Sequence, residues 1–215
     1  MRSEDILAKF GLTLNGNTPM PVDLPVLPHW QPSEPGSLGD DRVEFAKWLK
    51  EWGLTRGAEI GTCGGEFAVA LLAAGLTVTC VDPWLIYPGY IDYKRQKTLD
   101  RAYALACERL APYYGQCNII KKPSLEAVDE IKDGSLDFVF IDANHLLLPL
   151  LQDIYAWTPK VKVGGIVSGH DYAPSNRHQV VEAVHAYTEA NKIRPWFALG
   201  PKENDYTRSW LWVKQ

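Results

Sequence analysis

Three groups of residues in this chain are of types that bind or react. The first is the run Ala58-Glu59-Ile60-Gly61-Thr62-Cys63-Gly64-Gly65-Glu66-Phe67, a short apolar segment entering a glycine-rich turn. The second is Asp82, which ends the β-rich run Val78-Thr79-Cys80-Val81 and lies 17 residues beyond Gly65. The third is a pair of segments, Asp142-Ala143-Asn144-His145 and Gly169-His170-Asp171-Tyr172, each placing Asp and His straight after an apolar run. The first two groups together describe a nucleoside pocket. One strand delivers backbone to the ligand, glycines permit close approach and positive φ, and the acid ending the next strand accepts both ribose hydroxyl protons. The separation is close to the roughly 20 residues usual in such a unit.

The loop departs from the dinucleotide fingerprint, because no Gly-x-Gly-x-x-Gly can be laid over it. A dinucleotide seats its pyrophosphate on the helix N-terminus, and here Glu66 opens that helix. A carboxylate suits the positive end of a helix and would repel a phosphate placed there. A cationic ligand without phosphate fits better. Taken alone, Gly64-Gly65 is also what a tight strand-to-helix turn requires.

These groups need a scaffold, and the periodicity supplies one. Strands are expected over residues 58–61, 76–81, 118–121, 136–141 and 166–168, with β-rich runs over 196–199 and 209–213. Helices are expected over 3–11, 41–52, 67–74, 97–110, 125–131, 147–157 and 177–190. Alternating strand and helix makes an α/β, doubly wound, mostly parallel sheet. The last two runs are too close for a crossover helix and should form a C-terminal antiparallel hairpin. Residues 15–39 carry six prolines, which exclude regular helix or central strand. The chain therefore divides into an N-terminal helix and Pro-rich arm over 1–40 and a ligand-binding domain over 41–215. The arm is a wrapping tail, or a lid or strap through which a homo-oligomer forms, bringing His29 and Trp30 to the site.

Ligands in such sheets bind at the carboxyl ends of the strands. Ser124 there offers a hydroxyl for an adenine edge, or an N-cap for the helix it opens. Trp84, next to Asp82-Pro83, covers a nucleoside or joins the core. The long segment 84–95 carries Tyr87, Tyr90 and Tyr93 as an aromatic lid, with Lys94, Arg95 and Lys97 available to an acidic substrate.

In these residues the chain resembles class I S-adenosylmethionine-dependent methyltransferases, from about Ala58 to Val213. The resemblance implies a seven-stranded, Rossmann-like methyltransferase fold and S-adenosylmethionine as cofactor. Its binding set would be Glu59, Gly61, Thr62, Cys63, Gly65, Asp82, Trp84, Ser124 and Asp142. The strand-end Asp-x-x-His and His-Asp are similar to a subgroup that methylates hydroxyls of small molecules and sugars. That likeness implies catalytic roles for His145, His170 and Asp171. Some members bind magnesium, which would here fall to Asp142 and Asp171, two hard oxygen donors on neighbouring strand ends. Either Mg²⁺ acidifies the acceptor hydroxyl, or His145 or His170 removes its proton as a general base.

The remaining composition narrows the classes. A net charge of −4 over 215 residues gives no electrostatic footprint for nucleic acid, so the acceptor is expected to be a small molecule. The chain has no apolar run near the roughly 18 residues that cross a bilayer, and its acidic start has no signal core; a cytoplasmic protein without a membrane partner is expected. Four scattered cysteines form no metal or disulfide pattern. Two rivals stand beside the methyltransferase: a nicotinamide-dependent reductase, which the missing glycine disfavours, and a non-catalytic nucleoside-binding module.

Overall fold

The computed structural model describes residues 1–13, 22–23, 40–199 and 208–215. Apart from residues 22–23, the Pro-rich stretch over 15–39 with His29 and Trp30 lies outside the described residues, as does the loop between the last two β-rich runs.

The chain runs α1 (Ser3–Lys9), β1 (Val22–Asp23), α2 (Asp40–Glu51), β2 (Arg56–Ile60), α3 (Glu66–Ala73), β3 (Thr77–Val81), α4 (Gln96–Leu110) and β4 (Cys117–Ile120). It continues through α5 (Ser124–Ala127), β5 (Leu136–Ile141), α6 (Leu147–Trp157), β6 (Val161–Tyr172), α7 (Val180–Ala190), β7 (Phe197–Leu199) and β8 (Arg208–Val213). The sheet order is β1-β7-β8-β6-β5-β2-β3-β4. Every pairing is parallel except those of β8, which runs antiparallel to both β6 and β7. The reversal in strand order falls between β2 and β5, where an open sheet leaves its crevice.

The sheet has eight strands where seven were expected. The extra one is Val22–Asp23, inside the Pro-rich stretch, pairing parallel with Phe197–Ala198. Pro21 precedes it, and its position at the sheet edge is where a strand tolerates neighbouring prolines.

Burial explains the central elements. All of β5 beyond Asp137 is buried, matching its unbroken apolar sequence Leu136-Asp137-Phe138-Val139-Phe140-Ile141. Phe140 lies on the face covered by α1 to α4, with Phe67 at 4.3 Å and Phe45 at 6.0 Å between ring centroids. Its burial contributes about 1.5–3 kcal/mol. Val139 and Ile141 point to the opposite face, packed by α6 and α7 through Leu150, Ile154 and Val184. Gly57 and Gly169 are small for packing reasons: a Cβ would meet the Phe138 ring at 2.3 Å in the first and the Trp210 ring at 2.3 Å in the second.

Three elements differ from expectation. β6 begins at Val161, before the glycines expected to lead into it, because Gly164 at φ 79 makes a bulge that shifts the register from Leu136↔Val161 to Phe138↔Ile166. Helix α7 starts at Val180, since the Ser175 hydroxyl holds the amides of Arg177 and His178 in a turn. The helix expected over 125–131 stops at Ala127 and gives way to a 3₁₀ turn, Val128–Glu130.

Candidate active site

The carboxyl ends of β2, β3 and β5 open into a cavity of about 480 Å³, lined by Gly61, Cys63, Asp82, Ser124, Asp142 and His145 among others. Its floor is the turn after β2. Gly61, at φ 94, passes so close to the next strand end that a Cβ would lie 2.1 Å from the Asp142 carbonyl oxygen. Cys63 follows at φ 48, and Gly65 caps α3 at φ 82. Asp82 binds this turn to β3: one carboxylate oxygen accepts from the Cys63 amide at 2.9 Å, the other from the Trp84 amide at 2.6 Å. Burial raises its pKa, and those two amides only partly oppose that. The carboxylate still borders the cavity, with lone pairs left to accept further donors.

Beneath the turn, Glu59 is buried with Oε2 unpaired. Desolvation first, then the nearby charge of Asp142, raises its pKa well above the carboxylate range. Thr62 is buried next to it, and neither residue lines the cavity. Glu66 does open α3, but it pairs with Arg109, whose guanidinium also donates to the Gly64 carbonyl at 2.7 Å. The negative charge expected at the helix start is thus shared with a cation.

At the far wall, Ser124 does not cap its helix; its hydroxyl accepts from the Trp157 indole at 2.7 Å. Beside it Asp153, unremarked in the sequence, is buried and borders the cavity, and burial pushes its pKa up to about 6. Trp84 belongs to the core: it is 2% exposed, packs on Tyr103 and donates from its indole to the Cys63 carbonyl at 2.8 Å. Its φ of 45 turns the chain into the segment that follows.

That segment lies along the cavity and contributes Leu85, Tyr87, Tyr90, Asp92 and Tyr93 to its lining. Tyr87 and Tyr90 stack with centroids 4.9 Å apart, Asn144 donates to the Tyr87 hydroxyl, and Tyr93 meets the Cys63 thiol at 3.2 Å. Gln96 staples its start, accepting from the Ile86 amide and donating to the Trp84 carbonyl. Lys94, Arg95 and Lys97 are exposed and do not line the cavity.

The strand ends of β5 and β6 meet here as a charged cluster. His145 Nε2 lies 2.9 Å from Asp171 and 3.3 Å from Asp142, while its Nδ1 lies 3.1 Å from Asp92. Burial alone would lower the His145 pKa, but the carboxylates of Asp142, Asp171 and Asp92 outweigh it and push the value up to about 12. Desolvation would raise Asp171, yet His145 and His170 hold its carboxyl far below the usual range. His170 Nδ1 is 3.7 Å from Asp171, and Arg42 reaches Asp142 at 3.5 Å. Asp171 holds its place with φ 55, one of three non-glycine residues at positive φ around the site together with Cys63 and Trp84.

The structure thus brings Gly61, Cys63, Asp82, Ser124, Asp142 and His145 to one cavity, with Asp171 and His170 behind His145. Sequence reasoning passed over Asp92, His178, Arg42 and Asp153, which come from four separate segments. Asp142 and Asp171 do not fit the magnesium expected there: both carboxylates face the Nε2 of His145, Asp142 also faces Arg42, and the third neighbouring donor is an imidazole nitrogen of His170. A hard cation that demands oxygen ligands is poorly served by that set.

A family model described as a methyltransferase domain matches residues 58–172. No curated protein matches the chain. Among solved structures, a Staphylococcus aureus protein provisionally assigned as a caffeoyl-CoA O-methyltransferase is similar at 19% identity and TM-score 0.57, over 81% of this chain and 82% of that one. SMU.1697c of Streptococcus mutans, solved in complex with SAH, is 11% identical with TM-score 0.60, over 81% and 98% of the two chains. An rRNA methylase of Streptococcus thermophilus is 14% identical with TM-score 0.54, over 80% and 93%. At such identities these likenesses speak to the fold.

Proposed function

The chain belongs to the methyltransferase-domain family, and on that premise we propose that it transfers the methyl group of S-adenosylmethionine to a hydroxyl of a small molecule or sugar. The observation that carries this reading is Asp82, a strand-end carboxylate locked to the glycine turn and bordering a cavity large enough for a nucleoside. In this reading Asp82 takes the ribose hydroxyls. The turn from Gly61 to Gly65 receives the amino acid tail, with Glu59 and Thr62 supporting it from below. Ser124 stands at the base end, and Trp84 acts by fixing the Cys63 carbonyl. The structure of SMU.1697c with SAH is consistent with a cofactor of this class.

Methyl transfer is a displacement at carbon, so the protein must align donor and acceptor and take up the acceptor's proton. His170 is assigned to that proton, with Asp171 beside its ring. His145 acts by positioning Asp171 and Asp142, whose carboxylates both face its Nε2, and Asp142 orients the acceptor. The aromatic segment 84–95 would cover the acceptor and exclude water. The overall acidity of the chain favours a small acceptor over a nucleic acid, although one of the similar folds is an rRNA methylase. No helix among the described residues is long and apolar enough to cross a membrane.

Calorimetry with S-adenosylhomocysteine tests the cofactor: saturable 1:1 binding is expected, and a folded protein that shows none would overturn the reading. The same titration with NAD(H) and NADP(H) separates out the reductase. Binding without transfer to any member of a hydroxyl acceptor panel would leave a nucleoside-binding module.

A further inference from the structure

Asp92, His145 and His178 come from three separate segments: the aromatic segment, the loop after β5 and the turn before α7. They converge at the rim of the cavity. His145 Nδ1 lies 3.1 Å from Asp92 Oδ2, and His178 Nε2 lies 3.4 Å from Asp92 Oδ1. The two imidazole rings are in contact, with centroids 4.7 Å apart. One donor atom from each residue falls within 4.8 Å of the others. We propose that this triad is a binding site for a divalent first-row transition metal of the zinc class, distinct from the Asp142 and Asp171 pair.

Geometry supports it first. Nitrogen and oxygen ligands of such a metal lie about 2.0–2.2 Å from it, so adjacent ligands of a tetrahedral site stand about 3.3–3.6 Å apart. His178 stands 3.4 Å from one Asp92 oxygen, inside that interval, and His145 stands 3.1 Å from the other, slightly below its lower bound, so only small side-chain shifts bring the three donors round one ion. Donor chemistry agrees: two imidazoles and one carboxylate suit zinc, iron, cobalt or nickel and do not suit magnesium.

The surroundings of His145 supply a second, independent argument. A metal-bound histidine characteristically donates its other ring N–H to a carboxylate, which fixes the ring and strengthens the ligand. His145 has that partner, with Nε2 2.9 Å from Asp171 and 3.3 Å from Asp142. Those two acids, expected from the sequence to hold an ion themselves, thus orient the residue that holds one.

The position also gives the ion a role. Asp92 belongs to the segment that borders the cavity, whereas His145 and His178 sit on the loops after β5 and β6. One ion would tie that segment to the sheet, adding to the links made by Asn144 to the Tyr87 hydroxyl, by Tyr93 to Cys63 and by Arg177 to the Ile91 carbonyl at 3.1 Å. Three protein ligands leave a coordination position open beside Asp92 and His145, which line the cavity. An acceptor oxygen is the ligand chemistry that would fill it.

The experiment uses the full chain, stripped with a chelator and dialysed. Zn²⁺ is titrated by calorimetry and Co²⁺ by its visible absorption, which reports coordination geometry. One equivalent is expected, with binding at least about 100-fold weaker in both His178→Ala and Asp92→Asn, since even supporting residues are worth 10–100-fold. His170→Ala should stay within about fivefold, because His170 touches neither Asp92 nor His178. Amide exchange across residues 84–95 should slow on loading. Circular dichroism checks that each variant folds, and His178→Gln replaces any His178→Ala that does not. The proposal falls if the stripped wild type takes no metal, if His178 and Asp92 variants bind as well as wild type, or if His170→Ala abolishes binding. Metal affinity is read without cofactor or acceptor, so its failure is separable from failure of the methyltransferase reading.

Discussion

The Asp82 carboxylate accepts the Cys63 amide at 2.9 Å, so the acid that closes β3 also fixes the turn that leaves β2. Any ligand gripped by Asp82 is therefore registered against the glycine turn through a single side chain.

Asp82→Ala should weaken S-adenosylhomocysteine binding at least tenfold, a change of ~1.4 kcal/mol, by removing the ribose contact and freeing two backbone amides. Asp82→Asn should lose less, because its carboxamide oxygen can still accept one of them. Calorimetry on both variants checks this, and unchanged affinity in the alanine variant would end the ribose assignment.

Gly61→Ala should destabilise the fold on the order of 3 kcal/mol or more. The added methyl would sit 2.1 Å from the Asp142 carbonyl, at a φ of 94 that side chains rarely adopt. Denaturant unfolding measures it, and a loss below about 1 kcal/mol would show that the turn can relax.

Asp153 makes stability depend on pH. Its folded pKa of about 6 lies above the 3.8 of an ordinary aspartate, so the folded protein holds the proton more tightly than the unfolded chain. That contribution is fully present below pH 3.8 and is lost as pH rises through 6. At neutral pH the loss is on the order of 2–3 kcal/mol. Asp153→Asn should flatten this part of the stability profile, as followed by unfolding at pH 4 to 7. A profile unchanged by the substitution would assign the effect elsewhere.

Gln96→Ala should loosen the segment along the cavity without touching its lining. The Ile86 amide loses its acceptor and the Trp84 carbonyl its donor. Hydrogen exchange across residues 84–93 should quicken about tenfold, the equivalent of ~1.4 kcal/mol, while exchange in β5 stays the same.

His145→Gln should slow methyl transfer to a hydroxyl acceptor at least about tenfold while leaving S-adenosylhomocysteine affinity within about threefold, since the assigned cofactor contacts lie at the ends of β2, β3 and β4. Turnover by the glutamine variant at the wild-type rate would free His145 from the chemistry.

Much of this architecture was legible in the sequence because the period of apolar residues reports burial directly. Residues 136–141 and 147–157 carry unambiguous runs, and β5 and α6 have those bounds. The placement of the strand-end residues at the cavity was legible too, since a parallel sheet fixes at which end its crevice opens. What escaped depended on backbone turns with no periodic signature. The positive φ of Cys63 and Trp84 sets where the chain goes after β2 and β3, and that of Asp171 turns the last residues of β6. Trp84 was read as either a ligand cover or a core residue because one dihedral angle decides between them. Asp92 and His178 meet only after two irregular segments fold back, and neither carries a local pattern that would announce the partner. The eighth strand is two residues long and was hidden among prolines.

The placement of β8 bears on how the chain is made. Arg208–Val213 is the latest strand in sequence, yet it lies between β6 and β7 with five of its six residues buried. Until β8 is in place, β6 has an unpartnered flank and β7 can pair only with the two-residue β1. The β1–β7 pair therefore joins the rest of the sheet only through β8, so a growing chain carries an open edge at β6 until residues 208–213 have left the exit tunnel.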